Sequence, residues 1–198
     1  MNRRTHQGNE MILTIRNMVC DCCIKVIRDE LENIDTLNIK SIRLGEIRLI
    51  RPVQKPALEM LEKRLSAIGF EVVTDKDKIL VEQVKQAIIH LVHHTTFNAM
   101  VRNSDYLVER FELSYPYLSN LFSKAEGLTL EKYIILQKIE KVKELIQYND
   151  LSISEIAYMM GYSSVQYLYT QFKSVTKIPV TDFKKDPAKY RKSVDNLK

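Results

Sequence analysis

Apolar residues in the first third of the chain recur with two different periods. The run MILTIR at 11–16 alternates apolar and polar positions, as half-buried strands do, whereas residues 23–34 repeat apolar positions at helical spacing. Two short alternating runs flank Gly45. A second helical stripe opens at Pro56 and closes at Gly69, ahead of the apolar run FEVV. The pattern predicts the element order βαββαβ.

Beyond residue 78 the apolar period is helical throughout, without a strand pattern. Ser152 and Glu155 have the spacing of a capping box, which marks one helix start. The predicted helices span 79–95, 104–111, 114–125, 130–148, 153–160 and 164–175. The sequence therefore predicts an α+β domain followed by an all-α domain.

Composition shifts along the chain predict where these domains begin and end. We expect a disordered arm at 1–10, the α+β domain at 11–74, a charged hinge at 75–79, the helical domain at 80–190 and a basic tail at 191–198. The net charge is +5, and residues 161–198 alone hold eight Lys or Arg against three Asp. Such a patch favours phosphate backbones, although a basic end alone is a weak sign of nucleic-acid binding.

All three cysteines of the chain, Cys20, Cys22 and Cys23, lie within four positions. Neither a signal peptide nor a membrane-spanning run precedes or follows them, so we expect a cytoplasmic protein with no membrane partner. Thiols stay reduced there, and three clustered cysteines cannot form an even set of disulfides. A metal-ligand or redox role is therefore favoured over a structural disulfide.

Cys20 and Cys23 fall on one predicted loop between the first strand and the first helix, where two thiols can share one ion. The positive end of a helix lowers thiol pKa values, and thiolates bind soft metals such as Cu(I), Zn(II) or Cd(II). Thiol redox sensing, or cysteines that only fill space, are the alternatives. His90, His93 and His94 also share a helical face, which we interpret as an ordinary half-exposed surface.

With MVCDCC between strand and helix, residues 11–73 resemble the heavy-metal-associated domain of copper chaperones and metal-transporting ATPases, whose pattern is GMxCxxC. The resemblance implies a ferredoxin-like fold, Cys20 and Cys23 as ligands, and Met18 packed beneath the loop. Asn17 replaces the usual glycine. Two further residues leave the metal open, because Cys22 would complete a three-thiolate site and Asp21 would favour a harder ion.

The segment SEIAYMMGYSSVQYLYTQFK has the pattern of a helix-turn-helix. Ile156 and Ala157 allow close helix packing, Gly161 makes the turn, and Leu168 and Phe172 face inward. A weaker copy lies upstream in DYLVERFELSYPYLSNLFSK, with Ser114 as the cap and Leu118 and Phe122 facing inward. The two predicted caps are about 50 residues apart.

From about 80 to 190 the chain resembles the DNA-binding domain of AraC/XylS-type transcription regulators, through LSYPYLSNLFSKAEG, YIILQKIEKVKELI and LSISEIAYMMGYSSVQYLYTQF followed by KIPVTDFKK. The resemblance implies seven helices and two helix-turn-helix units that bind successive major grooves of double-stranded DNA. The DNA-binding residues it implies are Tyr115, Pro116, Ser119, Asn120, Lys124, Ser164, Val165, Gln166, Tyr169, Thr170 and Lys173.

Together the two halves predict a non-enzymatic, AraC-type regulator that responds to a thiophilic metal ion. A thiol redox sensor controlling the same domain is one alternative. The other is a metal-carrying protein whose helical half binds a protein partner. The metal, the operator, the sign of regulation and the oligomeric state are left open by the sequence.

Overall fold

The computed structural model describes residues 10–32, 34, 37–95 and 102–187. The chain divides into two compact units, Met1–Gln86 and Ala87–Lys198. The predicted basic tail at 191–198 lies outside the described residues, as does the predicted disordered arm at 1–10, except for residue 10. In the part of the chain that is described, no helix is long and apolar enough to cross a membrane.

Up to Val73, the described residues of the first unit form a four-stranded antiparallel sheet and two helices in the order βαββαβ, which confirms the predicted order of elements. The sheet order is β2-β3-β1-β4, and the register pairs Leu13 with Ile47 and Ile15 with Val72. The bounds are β1 Met11–Arg16, α1 Asp21–Leu31, β2 Ile39–Arg43, β3 Glu46–Leu49, α2 Lys55–Ala67 and β4 Glu71–Val73.

The core of this unit is formed by inward-facing residues of the strands and the two helices. Ile15, Ile47 and Leu49 of the sheet are fully buried, as are Ile27 of α1 and Leu61 of α2. Each such side chain contributes about 1.5–3 kcal/mol relative to an exposed one. The periodicity in the sequence therefore reflects a real division between buried and exposed faces.

The charged segment that predicts a hinge at 75–79 is instead the start of helix α3, Lys76–His94. Asp75 caps this helix, since its Oδ1 accepts a hydrogen bond from the backbone N–H of Lys78 at 2.9 Å, and Asp77 adds a favourable negative charge to the first turn. The hinge prediction is wrong because acidic residues in this position stabilise a helix N-terminus. The division between units falls inside α3, after Gln86.

The second unit is helical throughout its described part, as predicted. After the C-terminal end of α3 come α4 Asn103–Phe111, α5 Tyr115–Glu126, α6 Leu130–Tyr148, α7 Ile153–Met159, α8 Val165–Thr176 and α9 Val180–Lys185. The bounds of α6 agree with the prediction, and α9 has no counterpart among the helices predicted from periodicity. Phe122, Phe172 and Phe183 are among the largest fully buried side chains.

Candidate functional sites

The loop that carries the cysteines leaves β1 through a left-handed residue. Asn17 has φ of 72°, a conformation that favours glycine and that asparagine tolerates, and its Nδ2 donates to the backbone oxygen of Gly69 at 2.9 Å. Met18 is 1% exposed, and its Sδ accepts from the backbone N–H of Gly45 at 3.3 Å. Met18 is therefore buried beneath the loop, as the resemblance implied.

Two of the three thiols lie side by side at the start of α1. The Sγ atoms of Cys20 and Cys23 are 3.7 Å apart, and all three cysteines are free thiols. Two sulfurs that each lie 2.3 Å from one tetrahedral ion are about 3.8 Å apart, so this pair fits a single zinc-like ion without rearrangement. Cys20 and Cys22 are exposed, whereas Cys23 is half-buried.

Among the described residues, no third protein ligand lies close to this pair. Within the described ranges, no group of three or more His, Cys, Asp or Glu side chains is arranged to hold a metal ion. The arrangement therefore supports neither Cys22 as a third thiolate nor Asp21 as an additional ligand. His93 instead pairs its Nε2 with Oε1 of Gln137 at 3.1 Å, and the rings of His90 and His94 stack at 6.1 Å.

The environment of Cys23 acts on its thiol in the direction opposite to the one expected at a helix start. Burial raises the pKa of Cys23, and the neighbouring Cys20 also raises it, while hydrogen bonding to the backbone at Val19 and Cys20 opposes the change. A metal ion that binds this pair therefore has to displace the Cys23 proton at neutral pH, and binding releases that proton.

The downstream helix-turn-helix consists of α7, a short turn and α8. Ser152 and Glu155 form the predicted capping box at the start of α7. Gly161, with φ of 69°, makes the turn, and the backbone N–H of Tyr162 donates to the oxygen of Ala157 at 2.9 Å. Ser164 then caps α8 by accepting from the backbone N–H of Tyr167 at 3.1 Å.

A lysine of α6 supports this turn. Lys138 Nζ donates to the backbone oxygen of Met160 at 3.0 Å and lies 5.9 Å from the centre of the Tyr162 ring. The hydroxyl of Tyr162 in turn donates to Oε1 of Gln171 on α8 at 2.7 Å. Burial lowers the pKa of Lys138. The network fixes the orientation of α8 relative to α6.

The outer face of α8 presents polar side chains to solvent. Gln166, Thr170 and Lys173 are exposed, whereas Val165 and Tyr169 are half-buried. Ser164 is exposed but uses its oxygen in the helix cap. Tyr167, at 51% exposure, was not among the predicted residues. It follows Gln166 directly and lies three positions before Thr170, so helical spacing alone would have included it.

The upstream helix-turn-helix, formed by α4 and α5, exposes a different set of side chains. Pro116, Asn120 and Lys124 are exposed, and Ser119 is half-buried. The hydroxyl of Tyr115 donates to Oε1 of Glu131 on α6 at 2.7 Å. Burial and this hydrogen bond both raise the pKa of Tyr115. Tyr115 therefore joins α5 to α6, in addition to its predicted place on the outer surface.

Comparison with known proteins bears on this helical half. Residues 107–186 match a family described as a helix-turn-helix domain. The chain is 29% identical over 119 residues to the Msm operon regulatory protein of Streptococcus mutans and 30% identical over 125 residues to the xylose operon regulatory protein of Escherichia coli. The family match runs from within α4 to the end of α9, so it includes residues of both helix-turn-helix motifs.

The aligned part covers 60% and 62% of this chain but only 38% and 29% of the two relatives. Both relatives are operon regulatory proteins. Among solved structures, the C-terminal domain of the response regulator yesN from Fusobacterium nucleatum is 27% identical, with a TM-score of 0.44 over 52% of this chain and 98% of that one. The C-terminal domain of AraT from Geobacillus stearothermophilus has a TM-score of 0.47 over 56% of this chain and 88% of that one, at 22% identity.

Proposed function

We propose that this chain is a cytoplasmic transcription regulator that binds double-stranded DNA through its AraC-type domain and responds to a thiophilic metal ion at Cys20 and Cys23. The observation that carries the metal part is the 3.7 Å separation of the two Sγ atoms, which suits one shared ion. The regulatory part is supported by the similarity to two operon regulatory proteins.

The first unit is proposed to be a ferredoxin-like, heavy-metal-associated-like domain. Its βαββαβ order and the sheet order β2-β3-β1-β4 support this assignment, because that arrangement places the β1–α1 loop at one end of the sheet. Two thiolates and an accessible loop suit Cu(I), Zn(II) or Cd(II). Because the described residues supply two protein ligands, we propose that water, a small thiol or a second molecule completes the coordination of the ion.

Metal titration of the reduced full chain tests the cysteine assignment. We expect one Cd²⁺ or Zn²⁺ per chain, with thiolate-to-metal absorption for Cd²⁺, and loss of tight binding when Cys20 and Cys23 are both changed to serine. Cys22→Ser is the matched control and keeps tight binding. A double serine variant that binds Cd²⁺ as tightly as wild type would place the ion elsewhere.

Selection from a library of random duplexes tests the DNA assignment. We expect an enriched sequence, and an affinity for it that falls with rising salt because lysines neutralise phosphates. If no sequence is enriched and binding to DNA is absent at low salt, the DNA assignment is contradicted and the alternative of a protein partner for the helical half is favoured. Repeating the selection with and without Cd²⁺ shows whether the ion changes operator affinity.

A dithiol redox switch is a second candidate, because two Sγ atoms at 3.7 Å need only a small approach to form a disulfide. The two candidates differ in the condition that changes operator affinity. A redox sensor changes its operator affinity when a mild oxidant joins Cys20 to Cys23, whereas a metal sensor responds to the ion under strictly reducing conditions.

A further inference from the structure

Helix α3 is attached to the backbone that leads into the cysteine loop. Gln86 Nε2 donates to the backbone oxygen of Met18 at 2.7 Å, although the two residues are 68 positions apart. One turn earlier on the same helix, Oε1 of Glu82 forms an ion pair with Nε of Arg16 at 3.3 Å. Positions 82 and 86 are four apart, so they lie on one helix face. This face therefore contacts the chain two and four residues before Cys20.

The contact at Gln86 depends on a glycine. Gly45 has φ of +75°, and a Cβ at this position would lie 2.5 Å from Cγ of Gln86. The backbone N–H of Gly45 also donates to Met18 Sδ, so Met18 is bound at its carbonyl by Gln86 and at its sulfur by Gly45. The backbone ahead of Cys20 is thus fixed from two sides.

A buried amide at position 86 is energetically unfavourable if the side chain only fills space. Its Oε1 is buried and accepts no hydrogen bond from the residues that the structure describes. Burying a polar atom without a partner is unfavourable, and an apolar side chain of similar size avoids that cost. What the amide provides, and an apolar side chain does not, is the hydrogen bond to the Met18 carbonyl.

We propose that Gln86 is a positioning residue for the cysteine loop, and that through it the state of the loop is transmitted to helix α3. The helix supplies Lys76–Gln86 to the first unit and continues as Ala87–His94 in the second, where His93 bonds Gln137 of α6. When a change at Cys20 and Cys23 moves the Met18 carbonyl, the hydrogen bond from Gln86 to that carbonyl becomes weaker or stronger. Gln86 lies on a helix that contributes residues to both units, so the change is passed to that helix.

Thiol reactivity in the reduced, metal-free full chain tests the positioning role. Gln86→Leu removes the hydrogen bond, Gln86→Asn keeps the amide but shortens its reach, and Gln83→Leu on the exposed side of α3 is the control. We expect iodoacetamide to alkylate the half-buried Cys23 about three- to tenfold faster in both Gln86 variants, the range that loss of one net hydrogen bond gives. The exposed Cys22 provides the internal reference. Equal Cys23 rates in wild type and both Gln86 variants would overturn the proposal.

Transmission to the second unit rests on the proposed metal-responsive function and has its own test. Cd²⁺ affinity is measured with and without saturating selected duplex, for wild type, Gln86→Leu and Gln83→Leu. We expect a ratio of about fivefold or more in wild type and in the control, falling toward one in Gln86→Leu. A ratio preserved in Gln86→Leu overturns transmission through this residue, and a wild-type ratio of one overturns transmission altogether. Failure of Cd²⁺ to bind wild type contradicts the metal function itself and leaves the alkylation result to decide the positioning role.

Discussion

The upstream unit, α4 with α5, and the downstream unit, α7 with α8, bury corresponding residues but expose different chemistry. Phe122 of α5 packs against Tyr133 with ring centres 5.3 Å apart, and Phe172 of α8 packs against Phe183 at 5.5 Å. On the outside, α5 presents Pro116, Asn120 and Lys124, whereas α8 presents Gln166, Thr170 and Lys173. The two helix-turn-helix motifs therefore bury similar aromatic rings but expose different side chains.

The upstream and downstream helix-turn-helix motifs also differ in the hydrogen bonds that their polar side chains make. In the upstream unit, Tyr115 is hydrogen-bonded to α6, and Ser114 makes no side-chain capping bond. In the downstream unit, Ser164 caps α8, and Lys138 and Tyr162 fix the turn and the helix. If both helices contact DNA as proposed above, these differences favour α8 for base recognition and α5 for contact with the DNA backbone.

The largest predicted effect on stability comes from removing the buried ring in the core of each helix-turn-helix. Phe172→Ala and Phe122→Ala each remove a fully buried ring, so each is expected to lower the free energy of unfolding by about 3–5 kcal/mol. Urea unfolding followed by circular dichroism measures both. A small loss for one variant and a full loss for the other would show that the two cores are not equivalent.

The comparison of surfaces is tested on DNA. Gln166→Ala is expected to weaken binding to the selected duplex by about 1–3 kcal/mol and to leave binding to random duplex nearly unchanged, because a glutamine amide can bond adenine in the major groove. Asn120→Ala at the upstream unit is the matched variant and is expected to lose less specificity. The assignment of base recognition to α8 is wrong if Asn120→Ala has the larger effect on the ratio of selected to random binding.

The caps provide a smaller test of stability. Ser164→Ala is expected to destabilise the protein by about 1 kcal/mol, since the N–H of Tyr167 loses its acceptor. Ser114→Ala is expected to have almost no effect, since the Ser114 side chain makes no capping bond. Thermal unfolding of the two variants side by side measures the difference. Equal losses would mean that Ser114 also caps its helix in solution.

The ends of α5 and α8 give the smallest predicted effect. Gly127 after α5 has φ of 71°, and Lys177 after α8 has φ of 67°, which disfavours a residue with a side chain. Lys177→Gly is expected to raise stability by about 0.5–1 kcal/mol, and Gly127→Ala to lower it by a similar amount. Chemical unfolding is the measurement. A destabilised Lys177→Gly would show that the bond from Lys177 Nζ to the oxygen of Ser174 outweighs the backbone strain.

Sequence periodicity is sufficient to predict most helices and strands here, because burial follows the apolar pattern closely. The run from 130 to 148 is long and strongly periodic, and its helix has the predicted bounds. Helix α9 was missed because its six residues are too short to show a period. The hinge was misplaced because charge alone does not distinguish a linker from a capped helix start.

Contacts between distant residues account for what the sequence does not predict at the two sites. The bond from Tyr115 to Glu131 and the bond from Gln86 to Met18 join residues that no local pattern relates. The higher pKa of Cys23 follows from burial, which depends on the packing around the loop. The cysteine pair and the exposed positions of α8 were predictable, because spacing along one loop or one helix determines them.

One hydroxyl on α8 limits which bases that helix can favour. The Thr170 Oγ1 donates its hydrogen to the backbone oxygen of Gln166 at 2.9 Å. Toward a DNA groove this side chain therefore offers oxygen lone pairs and a methyl group, but no hydrogen to donate. Such a surface complements the amino groups of adenine or cytosine and the methyl group of thymine, and it does not complement the acceptor edge of guanine. An operator contacted at this position is expected to avoid guanine there.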